Sequence, residues 1–187
     1  MEDVEKRLVK MDGRRERTLA ISREAVRLAG KAITMMHARE KGRADELMEK
    51  LGSTIKELSG VEKGFEYNSL QAHQEYVEAC VLQHVMMYNK IPTIAQLKEG
   101  DVAYLLGLLD AVGELKREAF QEMMAENPGK ARGYYNLMTE IYDSTLQMRF
   151  ASSMLPDFRK KQDSARIQIE NTGRELLSFR VPPREAR

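Results

Sequence analysis

Apolar residues recur every three to four positions along most of the chain, and this spacing limits the possible folds more than any other feature. Near the amino terminus, for example, Leu19, Val26, Ile33 and Met36 follow one stripe. No segment alternates β-branched and polar residues as a half-buried strand would, and the 187 residues include only five prolines. The periodicity therefore predicts an all-α protein.

Breaks in the helical pattern divide the chain into long helices joined by short corners, most of them marked by glycine or proline. The pattern predicts helices over residues 4–39, 44–58, 69–88, 101–126, 131–152 and 156–179. Asp101 is expected to cap the fourth helix. Because no repeat or linker interrupts residues 1–180, we expect a single antiparallel bundle of about six or seven helices, with 181–187 as a flexible tail.

Charge and cysteine content narrow the classes of function. The 30 Lys and Arg residues nearly balance the 29 Asp and Glu residues, so net charge provides no bulk attraction to nucleic acid or membrane. The single cysteine, Cys80, excludes an intramolecular disulfide and fits a reducing compartment. No apolar signal region or membrane-spanning stretch of about 20 apolar residues is found. We therefore expect a cytoplasmic protein that does not enter a membrane.

Two carboxylates in the third predicted helix have no basic partner on that helix. Glu75 and Glu78 lie one turn apart, and no Lys or Arg stands three or four positions from either. Residues seven apart nearly superpose on a helix surface, so Leu82 lies over Glu75 and Val85 over Glu78. The face that carries the acids is apolar at its other end. The helical pattern thus turns the two carboxylates toward what looks like the core-facing side of the helix, although their own helix offers no cation to neutralise them.

The following long helix repeats this arrangement. Asp110 is the one carboxylate in the apolar run from 102 to 113, and Glu114 follows it on the same face. Burying an unpaired carboxylate costs on the order of several kcal/mol, so Asp110 is expected to have a cationic partner from outside its helix. Gly107, three residues before Asp110, leaves this face open to close approach by another helix or a ligand.

Three interpretations of these acids remain open from the residues alone: a solvated surface, ion pairs between helices, or a metal site. Four carboxylates that converge in a helical bundle would form a hard-cation site for Mg²⁺ or Mn²⁺. A ferritin-like di-iron site is excluded, because none of the three histidines follows a glutamate at the required spacing of three.

Two stretches resemble the translin family, and specifically its branch of translin-associated factor X. They are GFEYNSLQAHQEYVEACVLQH and DVAYLLGLLDAVGELKREAF, in which QEYVEA and YLLGLLDAVGEL are the most specific parts. Weaker similarity extends from REAVRLAGKAI to YDSTLQMRF and ENTGRELLSFR, so the resemblance spans most of the chain. The chain looks like the archaeal type of this branch, in which one kind of subunit forms the assembly.

The resemblance implies a translin-like helical fold and a Mg²⁺-dependent endoribonuclease. In the translin-associated factor X branch, the matching acids form the catalytic metal site, whereas translin itself binds RNA without that site. The positions that match are Glu75, Glu78, Asp110 and Glu114. Since all four acids are present, the resemblance favours an active enzyme. It also implies a closed homo-octamer whose inner surface holds the RNA.

A basic stripe on the first helix is the candidate RNA-binding surface. Arg23, Arg27 and Lys31 follow one another at intervals of four, which places them on one face. Such cations could neutralise backbone phosphates independently of sequence. Solvation, or pairing with an acidic helix, would explain the same pattern. Further basic candidates are Lys130, Arg132, Arg159, Lys160 and Lys161.

Two other functions remain as alternatives. All-α NTP pyrophosphohydrolases of the MazG type also bind Mg²⁺ with Glu-x-x-Glu on one helix and a second acidic pair on the next. Their second pair is typically spaced by three residues, whereas Asp110 and Glu114 are spaced by four. A noncatalytic RNA-binding protein, with the acids in interfacial salt bridges, is the other alternative.

Overall fold

The computed structural model describes residues 1–180. This part of the chain contains seven helices and no strands. They are α1 (Glu2–His37), α2 (Lys41–Val61), α3 (Glu66–Tyr88), α4 (Ile94–Leu97), α5 (Asp101–Met124), α6 (Pro128–Thr145) and α7 (Phe158–Arg180). The predicted all-α class is confirmed, and the number of helices lies in the predicted range. The tail predicted at 181–187 lies outside the described residues.

The helix predicted over 131–152 is too long, because α6 ends at Thr145. Side chains at its end bond to nearby carbonyls: Ser144 Oγ donates to the Ile141 carbonyl at 2.7 Å, and Gln162 of α7 donates to the Thr145 carbonyl at 2.7 Å. Side-chain hydrogen bonds of this kind compete with the helical ladder. The chain therefore leaves the helix early and turns toward α7.

The entry into α5 also differs from the prediction. Asp101 is not the cap: Gly100 holds the N-cap position, and no side chain caps the helix there. The carboxylate of Asp101 instead lies in the first turn, where it interacts favourably with the helix dipole. A short helix that was not predicted, α4, precedes this point. A capping box of Thr93 and Gln96 caps its amino terminus.

α5 occupies the centre of the helix packing. It contacts α3, α6 and α7, whereas α1 packs against α2 and α3. Fully buried large side chains between these helices include Leu51, Leu58, Leu82, Leu106, Leu115, Met138 and Ile141. Each buried leucine contributes about 1.5–3 kcal/mol relative to an exposed one. This core fixes the helices from which the charged side chains described below project.

The close approach predicted at Gly107 is made by α3. A Cβ atom added to this glycine would lie 2.6 Å from Cβ of Val77 and 2.7 Å from the carbonyl oxygen of Gln74. These contacts are too short for any side chain, so glycine allows the backbones of α3 and α5 to approach each other here. Val77 lies between Glu75 and Glu78 in sequence, so the contact brings the two acidic helices together at the level of their carboxylates.

The amino-terminal part of α1 extends beyond the other helices. Every residue from 1 to 14 is exposed, including Val4, Leu8 and Met11. Arg14, at the end of this exposed stretch, donates a 2.7 Å hydrogen bond to the carbonyl of Lys63. Within residues 1–180, none of the helices combines the length and apolar character needed to cross a bilayer.

Candidate functional site

A polar pocket of about 330 Å³ lies between α3, α5 and α7. Three of the four acids predicted as metal ligands line it, with Glu75 and Glu78 coming from α3 and Asp110 from α5. The remaining lining residues are Leu109, Lys161, Ser164 and Gln168. The structure thus brings together two acidic motifs that are separated in sequence, and it supplies a third wall from α7.

Lys161 is the cationic partner that was predicted for Asp110 from outside its own helix. Its Nζ lies 2.5 Å from Oδ1 and 2.6 Å from Oδ2 of Asp110, so the ammonium group engages both carboxylate oxygens. The sequence interpretation named Lys161 as a further candidate for RNA binding, together with Arg159 and Lys160. In the structure Lys161 lies in the pocket and pairs with Asp110, whereas Arg159 and Lys160 are exposed. Lys161, Ser164 and Gln168 share one face of α7, but the sequence alone does not indicate that this face covers the acids.

Burial and mutual repulsion shift the titration of the pocket acids. Burial, followed by the charges of Asp110 and Glu75, raises the pKa of Glu78 to about 8. Burial and the charge of Asp110 also raise the pKa of Glu75. The pKa of Asp110 is raised by burial, although the hydrogen bonds from Lys161 oppose this shift. One ammonium group is therefore insufficient to hold three ionised carboxylates, and Glu78 retains a proton at neutral pH.

Glu114 is not in this lining, and its carboxylate contacts the imidazole of His37 at the end of α1. It remains close enough for its charge to raise the pKa of both Glu75 and Glu78. The four predicted ligands therefore divide into three acids in the pocket and a fourth at its edge that is hydrogen-bonded to histidine. Spacing in α5 correctly placed Glu114 near Asp110 but could not reveal its partner on α1.

His37 links the edge of the pocket to a buried ion-pair network. Its side chain is 2% exposed, and its Nδ1 lies 2.6 Å from Oε1 of Glu118. The guanidinium of Arg39 lies 2.7 Å from the other oxygen of Glu118 and 3.4 Å from Glu122. Burial lowers the pKa of His37, but the two carboxylates that flank its ring outweigh this effect and raise it.

This network was missed from the sequence, although a signal for part of it exists. Glu114, Glu118 and Glu122 follow one another at intervals of four and so form an acidic line along α5. Such a line within a helix whose other residues are largely buried predicts cations from a neighbouring helix. Which residues supply them depends on how α1 ends, and this is not encoded in the spacing.

The donor chemistry of the pocket fits Mg²⁺ or Mn²⁺, although the side chains are not arranged as a closed cage. Within residues 1–180, no group of three or more His, Cys, Asp or Glu side chains is positioned to hold a metal ion without rearrangement. Carboxylate oxygens are nevertheless the ligands that these hard cations prefer. A divalent charge would offset the repulsion that raises the pKa of Glu78. To bind it with both oxygens, Asp110 would exchange its contacts with Lys161 for contacts with the ion.

The predicted RNA-binding residues Arg23, Arg27 and Lys31 are all exposed on α1. Arg27 pairs with Glu24 of the same helix, its Nε lying 2.9 Å from Oε2. In the described part of the chain, neither Arg23 nor Lys31 forms an ion pair, so pairing of this stripe with a neighbouring acidic helix is not observed. The pair between α1 and α2 is made instead by Arg17, whose guanidinium lies 2.9 Å from Glu57.

Comparison with known proteins gives matches over most of the chain. The model of the translin family matches residues 13–174. An uncharacterized protein of Methanocaldococcus jannaschii is 29% identical over 178 residues, which cover 92% of this chain and 79% of that protein.

Solved structures similar to this chain include three that carry the name C3PO. The structure of AfC3PO with duplex RNA has a TM-score of 0.88 and 25% identity, and the match covers 99% of this chain and 98% of that one. The crystal structure of AfC3PO alone has a TM-score of 0.83 and 27% identity, with 95% of each chain covered. For apo-NeC3PO the TM-score is 0.87, the identity 22%, and the coverage 95% of this chain and 96% of that one, which is a likeness of fold.

Proposed function

The chain belongs to the translin family, and from this premise we propose that it is a Mg²⁺-dependent endoribonuclease of the translin-associated factor X type. The observation that carries the proposal is the convergence of Glu75, Glu78 and Asp110 from two helices in one polar pocket. A protein that only binds RNA has no need for three acids whose pKa values are raised by burial, because phosphate recognition uses cations.

Glu75, Glu78 and Asp110 would hold the ion, and Glu114 would border it. A bound Mg²⁺ would supply a water ligand of lowered pKa and neutralise charge that develops on the phosphoryl oxygens. Glu114 is oriented by its hydrogen bond to His37, whose other ring nitrogen is fixed by Glu118. Partners of this kind hold carboxylates in position near a metal.

RNA binding by this chain is proposed from two observations. A protein of similar fold, AfC3PO, has been solved as a complex with duplex RNA. In this chain, the exposed cations Arg23, Arg27 and Lys31 form a stripe on α1 that faces away from the core. Neutralising backbone phosphates with such a stripe would supply affinity that does not depend on base sequence.

A homo-octameric assembly is part of the same proposal. Exposed apolar side chains at Val4, Leu8 and Met11 on α1, and at Met87 and Tyr88 at the end of α3, are candidate contacts between subunits. Static light scattering at micromolar concentration should give the mass of an octamer, whereas a monomeric mass would contradict it. We place the enzyme in the cytoplasm, where a buried thiol such as Cys80, whose pKa burial raises to about 12, remains reduced.

The experiment that tests the proposed function compares substrate classes. Purified protein is incubated with labelled RNA and, separately, with nucleoside triphosphates, each in Mg²⁺. RNA should be cut internally while the triphosphates remain intact. Release of pyrophosphate from triphosphates would support the MazG-like alternative, and RNA binding without cleavage would support the noncatalytic one.

A further inference from the structure

Among residues 1–180, Lys161 is the one cation that lines the pocket of the three carboxylates. Its charge lowers the pKa of Glu75, Glu78 and Asp110 alike, so it acts on the whole acidic group. Its closest contacts are with both oxygens of Asp110. The side chains of Lys161 and Asp110 are 24% and 29% exposed, so their ion pair lies at the accessible side of the pocket.

The position of Lys161 is unfavourable for α7 itself. It lies near the amino terminus of the helix, after Arg159 and Lys160, where the helix dipole favours acids. Each misplaced cation costs about 0.3–1 kcal/mol at such a position. The contact with Asp110 offsets this cost for Lys161, whereas Arg159 and Lys160 are exposed. The ion pair with Asp110 is thus the compensation that the structure shows for a cation at this position.

A divalent cation held by Asp110 would compete with Lys161 for the carboxylate of Asp110. If Asp110 turns to a metal ion, the ammonium group loses both of its acceptors in a site that is partly shielded from water. The other α7 groups in the lining, Ser164 and Gln168, bear no charge to replace them. A long, flexible lysine stem can redirect its ammonium group by several ångströms. The anion that would enter this pocket during the proposed reaction is the scissile phosphate.

We propose that Lys161 is a further catalytic residue, whose ammonium group holds Asp110 in the metal-free protein and contacts a nonbridging oxygen of the scissile phosphate once a divalent cation has replaced it. This inference rests on the proposed function. Lys161 transfers no proton in this role. Its charge offsets that of the carboxylates, which would otherwise repel the phosphate of the substrate. It also neutralises the negative charge that grows on the phosphoryl oxygens as the water oxygen attacks phosphorus.

Two measurements on Lys161→Met test the proposal, with Lys56→Met as the control because it removes the same charge from an exposed position on α2. Mn²⁺ affinity is measured by the paramagnetic resonance of free Mn²⁺, without RNA. Lys161→Met should bind Mn²⁺ about tenfold more tightly, because the competing cation is gone. At saturating metal, its kcat for RNA cleavage should nevertheless fall by about 10²–10³. Lys56→Met should change either quantity by less than about twofold.

A purely structural lysine would not produce tighter metal binding together with slower cleavage. Unchanged or weaker Mn²⁺ binding by folded Lys161→Met would overturn the proposed exchange, and wild-type kcat at saturating metal would overturn the catalytic role.

If Lys161→Met does not fold, Lys161→Arg retains a cation on Asp110 and should keep Mn²⁺ affinity near wild type and more than about a tenth of kcat. A folded Lys161→Arg with kcat reduced about 10²-fold or more would overturn the proposal. If the wild type itself fails to cut RNA, the proposed function is wrong; if only the Lys161 variants behave unexpectedly, the failure is confined to this inference.

Discussion

Gly107 of α5 lies so close to Val77 of α3 that a Cβ atom on the glycine would stand 2.6 Å from that of the valine. The contact lies beside Glu75 and Glu78 on one helix and one turn before Asp110 on the other. The spacing between the two acidic motifs is therefore set by the absence of a single side chain.

Gly107→Ala should destabilise the protein and impair the site together. The added methyl group meets backbone as well as side chain, so α3 and α5 must separate, at a cost of about 1–3 kcal/mol or more. RNA cleavage should fall in the folded fraction because the carboxylates move apart. Urea unfolding and single-turnover cleavage check the two effects. Gly52→Ala is the control: with nothing within 4 Å of an added Cβ, it should be neutral or stabilising by up to about 1 kcal/mol.

Replacing the pocket acids by their amides should remove activity while keeping the fold. Glu75→Gln, Glu78→Gln and Asp110→Asn each replace an acid by a neutral amide at nearly constant volume, and each should lower kcat by about 10²–10³. Glu78→Gln should not lower thermal stability, because the raised pKa of Glu78 already favours its neutral form. Glu140→Gln, at an exposed position on α6, serves as the control and should retain full activity. Wild-type rates in all three pocket variants would mean that the metal binds elsewhere.

Glu118 should contribute stability that disappears in acid. Burial alone would raise its pKa, but hydrogen bonds from His37 and Arg39 outweigh burial and lower it. A carboxylate with a lowered folded-state pKa stabilises the protein above its unfolded value of about 4.3, and this contribution is lost as pH falls through the folded-state value. At pH 7, Glu118→Gln should therefore lose about 1–3 kcal/mol, because the buried His37 loses one of its two carboxylate partners, whereas the half-exposed Arg39 remains accessible to water. The difference in unfolding free energy between the wild type and Glu118→Gln, measured by urea unfolding, should become smaller below about pH 4. A difference that stays constant with pH would contradict the ionic role of Glu118.

Changing Arg23, Arg27 and Lys31 together to Gln should weaken RNA binding similarly for unrelated sequences. Each lost phosphate contact should lower the slope of log affinity against log salt by about 0.7–0.9. Thermal stability should hardly change, because these side chains are exposed and Arg27 alone has an ion pair, a local one with Glu24.

The control removes three exposed cations from α2 instead, at Arg43, Lys50 and Lys56. It should leave the salt slope close to that of the wild type. Equal loss of slope in both triple variants would indicate a diffuse charge effect, and an unchanged slope in the α1 variant would require the RNA path to be sought on another surface.

Helix positions and the acid motifs could be predicted because both depend on local spacing. Residues three or four apart share a helix face whatever the rest of the chain does, so the pair Glu75 and Glu78 could be identified in sequence. The partners of the acids could not be identified in this way. Lys161 is 51 positions from Asp110, and His37 is 77 positions from Glu114. Those contacts depend on which helices pack together, and the sequence alone does not distinguish Lys161 from the other basic residues that could pair with Asp110.

The partner of Glu114 escaped the sequence analysis for the same reason. Its spacing from Asp110 predicted a shared face, and the charge of Glu114 does reach the pocket acids. Its carboxylate is nevertheless hydrogen-bonded to His37, because α1 ends beside this turn of α5. A pattern along one helix cannot distinguish a ligand that faces the pocket from one that is held at its edge by a neighbouring helix.

The most direct test of the central claim is single-turnover cleavage of labelled RNA under control of divalent metal. The wild type and Glu78→Gln are each assayed in Mg²⁺, in excess EDTA, and after Mg²⁺ is restored. We expect the wild type to cut RNA in Mg²⁺, to stop in EDTA and to recover on restoration, while Glu78→Gln remains slower by about 10²–10³ throughout. Cleavage by the wild type that proceeds equally well in excess EDTA would contradict a metal-dependent carboxylate site.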